Sequence, residues 1–120
     1  MKKEITNSID GLSRLLPEFS AQAETVEKIA LALASAVRNG KKIMLCGNGG
    51  SAADSQHMAA ELVGRFQKER KPFPAVSLTT DTSVMTSLAN DYSFDDIFSR
   101  QVEALGDKGD ALVVFSTSGN

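Results

Sequence analysis

Apolar residues recur along the first forty positions at intervals that fit a helix. Ile5, Ile9, Leu12 and the pair Leu15/Leu16 fall three or four apart, which predicts an α-helix over residues 4–16, stopped by Pro17. Ser20 offers a cap for a second, longer helix with Glu24 in its early turns, and Val26, Ile29, Ala30, Leu33 and Val37 carry its apolar stripe. Asn39-Gly40 supplies the stop, because glycine tolerates the left-handed conformation common at helix ends. Residues 1–40 therefore read as an α-helical hairpin. Its stripes can pack on a sheet or on a partner subunit, and the pattern leaves both open.

From Lys42 the pattern changes. "KIMLC" is a short continuous apolar run, as in a strand covered on both faces. A glycine-rich turn and a helix over residues 51–66 follow, then the charged, proline-bearing loop "QKERKPFP" and a second strand, "AVSLT". "TTDTS" offers several caps for a helix through Val84, Met85 and Leu88 that ends near Asn90-Asp91. A further helix over residues 94–105 stops at Gly106, and "GDALVVFS" is the third strand, running into "STSGN". Strands alternating with helices predict an α/β fold with a doubly wound parallel sheet and helices on both faces. Residues 41–120 form that α/β part. No helix follows "STSGN", and three strands leave an apolar edge, so the chain is expected to be the N-terminal part of a longer protein.

Composition narrows the class. The chain has 120 residues, 42% hydrophobic and 23% charged, which suits a folded domain rather than a disordered one. A net charge of -2 argues against a broad nucleic-acid or anionic-membrane surface, so neither partner is expected. The cluster Lys68, Arg70 and Lys71 reads as a solvated loop. The single cysteine, Cys46, forms no internal disulfide and reads as a buried small hydrophobe. No apolar run approaches the roughly 20 residues of a membrane span, and the N-terminus lacks the apolar core of a secretory signal, so a cytoplasmic location is the default.

The candidate chemistry sits where two strands run into small-residue turns, "GNGGS" and "STSGN". In open α/β sheets ligands bind beyond the carboxyl ends of the strands, where both turns would lie. Gly49 and Gly50 let a ligand approach the backbone, the free N–H groups opening the next helix favour an anion, and Ser51 and Asn48 add a hydroxyl and an amide. The lysine and spacing of a nucleotide-triphosphate loop are absent, and the dinucleotide spacing is not met. Ser116, Thr117 and Ser118 offer neutral donors suited to a phosphate. Along the helix, His57, Glu61 and Arg65 fall at i, i+4 and i+8 on one stripe, with Met58, Ala59, Leu62, Val63 and Phe66 on the buried side. That stripe is either a solvated face with a Glu61–Arg65 ion pair or a catalytic wall along which a phosphate-anchored sugar lies. A carboxylate there can shuttle a proton between carbons α to a carbonyl, and His57 with Glu61 makes half a zinc site.

The stretches "CGNGGSAADSQHMAAELVGRF", "LTTDTS", "ANDYSFDDIFSRQVEALGDKGD" and "STSGN", in this order, resemble the sugar-isomerase (SIS) domain proteins, and within them the phosphoheptose isomerases. The resemblance implies a Rossmann-like three-layer αβα fold and a homotetramer with active sites built between subunits. It also implies conversion of sedoheptulose 7-phosphate to D-glycero-D-manno-heptopyranose 7-phosphate through an enediol, towards the heptose of lipopolysaccharide. By that resemblance Ser51, Ser116, Thr117 and Ser118 bind phosphate, Asn48 and Asp91 contact the sugar, and Glu61 is the catalytic base with Arg65 nearby. His57 and Glu61 match two ligands of the zinc ion of some members. A catalytic histidine, a glutamine ligand and a further phosphate-binding serine of the family lie beyond Asn120, so the fragment alone is expected to be inactive. Two other readings stay open: a non-catalytic SIS protein that binds a replication initiator, in which the glutamate is lacking, and a phosphosugar-sensing module of a transcription regulator.

Overall fold

Ile43–Gly47 is buried at every position and forms β1, the middle strand of a three-stranded parallel sheet ordered β2-β1-β3, with β2 at Ala75–Ser77 and β3 at Ala111–Phe115. The protein, seen here as a computed structural model, is described over residues 1–119; Asn120, the last residue of "STSGN", lies outside them. The helices are α1 (Lys2–Ser20), α2 (Ala23–Arg38), α3 (Gly50–Val63), α4 (Thr82–Asp91) and α5 (Ser99–Leu105), with a 3-10 turn at Phe94–Asp96. The chain divides into two compact units, Met1–Ala32 and the remainder from Leu33 onward.

In the second unit the pleat of β1 sorts its side chains. Ile43 and Leu45 face Leu33 and Val37 of α2 and Met58, Ala59 and Leu62 of α3. Met44 and Cys46 face the other way, onto Leu78 and onto Phe98 and Val102 at α5. Helices thus cover both faces, and the expected three-layer α/β architecture is present. Burying a leucine- or isoleucine-sized side chain contributes roughly 1.5–3 kcal/mol, so β1 with its two covers is the main source of order. Cys46 is a free, buried thiol as expected, and burial pushes its pKa up. The continuous apolar run of β3 does not mean two covered faces, however. Leu112 is 45% and Val114 61% exposed, on the face that α5 covers only over β1.

Four expectations about elements need correction. Pro17 does not stop α1 but lies inside it. The lost N–H of a proline and the crowding of the carbonyl one turn back fall here in the last turn of α1, and the Ala21 N–H still bonds the Pro17 carbonyl at 3.1 Å. Ser20 therefore ends α1 rather than capping α2. The third helix ends at Val63, not at residue 66, where the Gly64 N–H bonds the Ala60 carbonyl at 2.8 Å. Val63 and Phe66 are consequently exposed instead of buried. The helix expected over residues 94–105 is split: the Ser99 hydroxyl takes the Asp96 carbonyl at 3.2 Å, and the Gln101 amide takes the Ile97 and Leu78 carbonyls at 2.7 and 3.0 Å. The cap of α4 is the third residue of "TTDTS", Asp81, which accepts from the Val84 N–H at 2.9 Å. In the first unit α1 has no buried residue, and its stripe of Ile5, Ile9, Leu12, Leu16 and Phe19 is exposed along its length. Among the described residues no helix is long and apolar enough to cross a membrane.

Candidate functional site

Parallel pairing of β1 with β3 sets Gly47 beside Phe115, so the two small-residue turns leave the sheet next to each other at its carboxyl edge. Gly49 turns the chain with φ 58° and ψ -121°, a conformation that an L side chain rarely adopts. The first turn of α3 then closes with the Ser51 N–H on the Asn48 carbonyl at 3.0 Å and the Ala52 N–H on the Gly49 carbonyl at 3.1 Å. In the facing turn the Gly119 N–H bonds the Ser116 hydroxyl at 3.0 Å, and that hydroxyl lies 3.5 Å from that of Ser118. Between the turns is a cavity of about 320 Å³ lined by Asn48, Ser51, Phe115, Ser116, Thr117 and Ser118. Every polar group on that wall is a neutral donor or acceptor, and the positive end of α3 opens at its mouth. The arrangement suits an anion.

Glu61 lies elsewhere. It shares a second cavity, of about 530 Å³, with His57 and Arg70. Met58, Leu62, Phe66 and Phe73 make the apolar part of that wall. No lining residue is common to the two cavities, and the ten-residue step from Ser51 to Glu61 along α3 is about 15 Å of rise. His57 Nε2 stands 3.7 Å from Glu61 Oε1, with the imidazole 79% and the carboxylate 35% exposed. Two donors at about 2.1 Å from one tetrahedral Zn²⁺ stand roughly 3.4 Å apart, a spacing close to that of this pair. Among the described residues no group of three or more histidine, cysteine, aspartate or glutamate side chains could hold a metal.

Two expected site residues stand apart from both cavities. Arg65 follows the end of α3, and its Nη1 pairs with Glu69 at 3.4 Å rather than with Glu61. Asp91 is the exposed last residue of α4 and accepts from the Asn90 amide at 2.8 Å.

A model of the SIS domain matches residues 9–120. The chain belongs to the SIS domain family. It is 49% identical over 120 residues to the phosphoheptose isomerase of Campylobacter concisus, covering all of this chain and 64% of that protein. Over 116 residues it is 53% identical to the phosphoheptose isomerase of Nitratidesulfovibrio vulgaris (strain Hildenborough), covering 97% of this chain and 56% of that one. The solved structure of the phosphoheptose isomerase of Neisseria gonorrhoeae superposes with a TM-score of 0.91 at 43% identity, over 99% of this chain and 62% of its own. The chain thus spans 56 to 64% of the length of these relatives.

In this SIS domain the cradle rests on polar residues that spacing did not single out. The Gln56 amide donates to the Thr79 hydroxyl at 3.1 Å, and Thr79 and Ser77 share a 2.7 Å bond, which ties α3 to the end of β2. Ser55, fully buried, donates its hydroxyl to the Ser51 carbonyl at 2.8 Å. Such residues look like ordinary polar helix and strand positions until the partners across the fold are known. The expected solvated run of basic residues holds at two of its three positions: Lys68 and Lys71 are exposed, whereas Arg70 is half-buried. Burial of Arg70 had no signal in the charge run itself.

Proposed function

We propose that the complete protein is an aldose–ketose isomerase that converts sedoheptulose 7-phosphate to D-glycero-D-manno-heptopyranose 7-phosphate, on the route to the heptose of lipopolysaccharide. The observation that carries this reading is a neutral anion cradle at the mouth of α3 with the half-buried carboxylate of Glu61 further along the same helix, in a chain whose relatives are named phosphoheptose isomerases. Ser51, Ser116, Thr117 and Ser118, with the Gly49 and Gly50 backbone, hold the phosphate. Asn48, Arg65 and Asp91 serve the sugar, the last two coming into place in the assembled site.

Once the ring opens, the carbonyl at C2 makes the C1 protons acidic. Glu61 takes one of them to leave an enediol and returns a proton to C2, while a second acid–base group moves the hydroxyl proton from O1 to O2. In this reading His57 and Glu61 would hold Zn²⁺ together with ligands from outside the described residues, and the metal would supply Lewis-acid polarisation of a substrate oxygen. A homotetramer with sites between subunits lets the cradle of one protomer face Glu61 of another, which resolves the separation of the two cavities within one chain. A cytoplasmic setting, where Cys46 stays reduced, goes with this reading. The initiator-binding alternative has no use for a carboxylate at position 61.

The test is Glu61→Gln in the complete protein, assayed with sedoheptulose 7-phosphate. Substrate binding is expected to persist while kcat falls by about 100- to 10,000-fold, the range of a lost general base. An unchanged kcat ends the proposal.

A further inference from the structure

Arg70 lies in the loop between α3 and β2, yet its guanidinium is spent on the end of α3. Nη2 donates to the Glu61 carbonyl at 2.6 Å, and Nη1 donates to the Leu62 carbonyl at 2.9 Å and the Lys71 carbonyl at 3.2 Å. The guanidinium carbon sits 4.1 Å from the centre of the Phe73 ring. Glu61 and Leu62 are among the last four residues of α3, whose carbonyls have no N–H one turn ahead within the helix. A fixed positive charge at that end also complements the helix dipole. The loop is tied down in turn: the Phe73 N–H bonds the Leu62 carbonyl at 3.0 Å, and the Ile43 N–H bonds the Pro74 carbonyl at 2.9 Å. Through Arg70 and Phe73, then, the last turn of α3 is fastened to the strand at the centre of the sheet.

We infer that Arg70 is a positioning residue for Glu61. The inference rests on the reading of Glu61 as the catalytic base, and it adds a group whose charge runs to the main chain of that very residue. Arg70 and Glu61 also line one cavity, so a shift of the guanidinium moves the carboxylate and reshapes the wall together. Lysine cannot replace it fully: an ammonium is a point donor, unable to bridge two carbonyls while lying flat on an aromatic ring.

The experiment uses the complete protein with Arg70→Lys, Arg70→Ala and Glu61→Gln, read by kcat, KM and the amide hydrogen exchange of residues 61–64. A misplacement near 1 Å costs on the order of 100-fold in rate, so Arg70→Ala is expected to lose about that much in kcat with KM changed less than threefold. Arg70→Lys should recover part of the loss, and exchange in the last turn of α3 should quicken in the order wild type, Lys, Ala. Full kcat in both Arg70 variants, with Glu61→Gln inactive, overturns the inference alone. Full kcat in Glu61→Gln overturns the reading beneath it. If Arg70→Ala does not fold, the Arg70→Lys split between kcat and KM decides: a loss confined to the folded fraction, with kcat per folded molecule intact, refutes positioning.

Discussion

Gly47 and Gly49 stand two residues apart in one turn and resist substitution for different reasons. A Cβ on Gly47 would lie 2.7 Å from the Ser51 carbonyl oxygen and 2.8 Å from the Ser51 Cβ, so the end of β1 and the first turn of α3 touch backbone to backbone. Gly49 has open space around it, but its φ of 58° is strained for any L side chain. Gly47→Ala is expected to cost about 1–3 kcal/mol by overpacking, and Gly49→Ala about 1–3 kcal/mol by backbone strain. Gly50→Ala, with nothing near its Cβ, should stay within about 0.5 kcal/mol of wild type. Urea unfolding of the three variants checks this; a Gly47 variant as stable as the Gly50 one would show that the close approach is absent. The spacing of glycines made the turn legible in the sequence. Which glycine answers to crowding was not, because that depends on where Ser51 returns in space. The same holds for Arg65 and Arg70: periodicity put the first on the helix stripe and charge put the second in solvent, whereas Gly64 ends the helix before Arg65 and the freed carbonyls recruit Arg70.

At the scale of elements, the edge of the sheet opposite the cradle is pinned by charge. The Asp110 carboxylate, at the entry to β3, accepts from the Asp107 N–H at 2.7 Å, the Lys42 N–H at 3.0 Å and the Lys42 ammonium at 2.6 Å, with its side chain only 4% exposed. The Lys42 ammonium first, then the two N–H groups, pull its pKa down from an ordinary 3.8 to about 2. A carboxyl held below its unfolded value stabilises the fold above that value and ceases to as pH falls towards the folded one, so this contribution is lost between about pH 4 and pH 2. Asp110→Asn should therefore unfold at lower urea than wild type at neutral pH, and the two midpoints should converge as pH drops through that window. Parallel curves would mean that Asp110 titrates alike folded and unfolded. The strands and helices of this region were legible because apolar period and glycine stops are local signals. The split before α5 and the bare face of β3 were not: beside the first, Gln101 bonds the Leu78 carbonyl across the fold, and the second depends on how far a short helix extends across the sheet.

For the whole molecule the open question is what the N-terminal stripe does. Ile9, Leu12 and Leu16 are 57 to 61% exposed, and α1 buries no residue at all. Most of a helix's stability in a protein comes from packing its apolar face, and contiguous exposed apolar area marks an interaction surface. The pattern that made the stripe visible in the sequence is the same one that leaves sheet and partner undistinguished, since both bury an identical face. If the proposed tetramer assembles through this stripe, substitution there can reach it. Replacing Leu12 and Leu16 by glutamate puts two charges on the face and is expected to lower the sedimenting mass of the complete protein. If the site is built between subunits, turnover should fall in step with the loss of assembly, while the cradle in each protomer still binds inorganic phosphate. Full mass with lost turnover would place the stripe outside the assembly contact. Lost mass with full turnover would show that a single protomer brings its cradle and Glu61 together, against the separation of about 15 Å that α3 imposes.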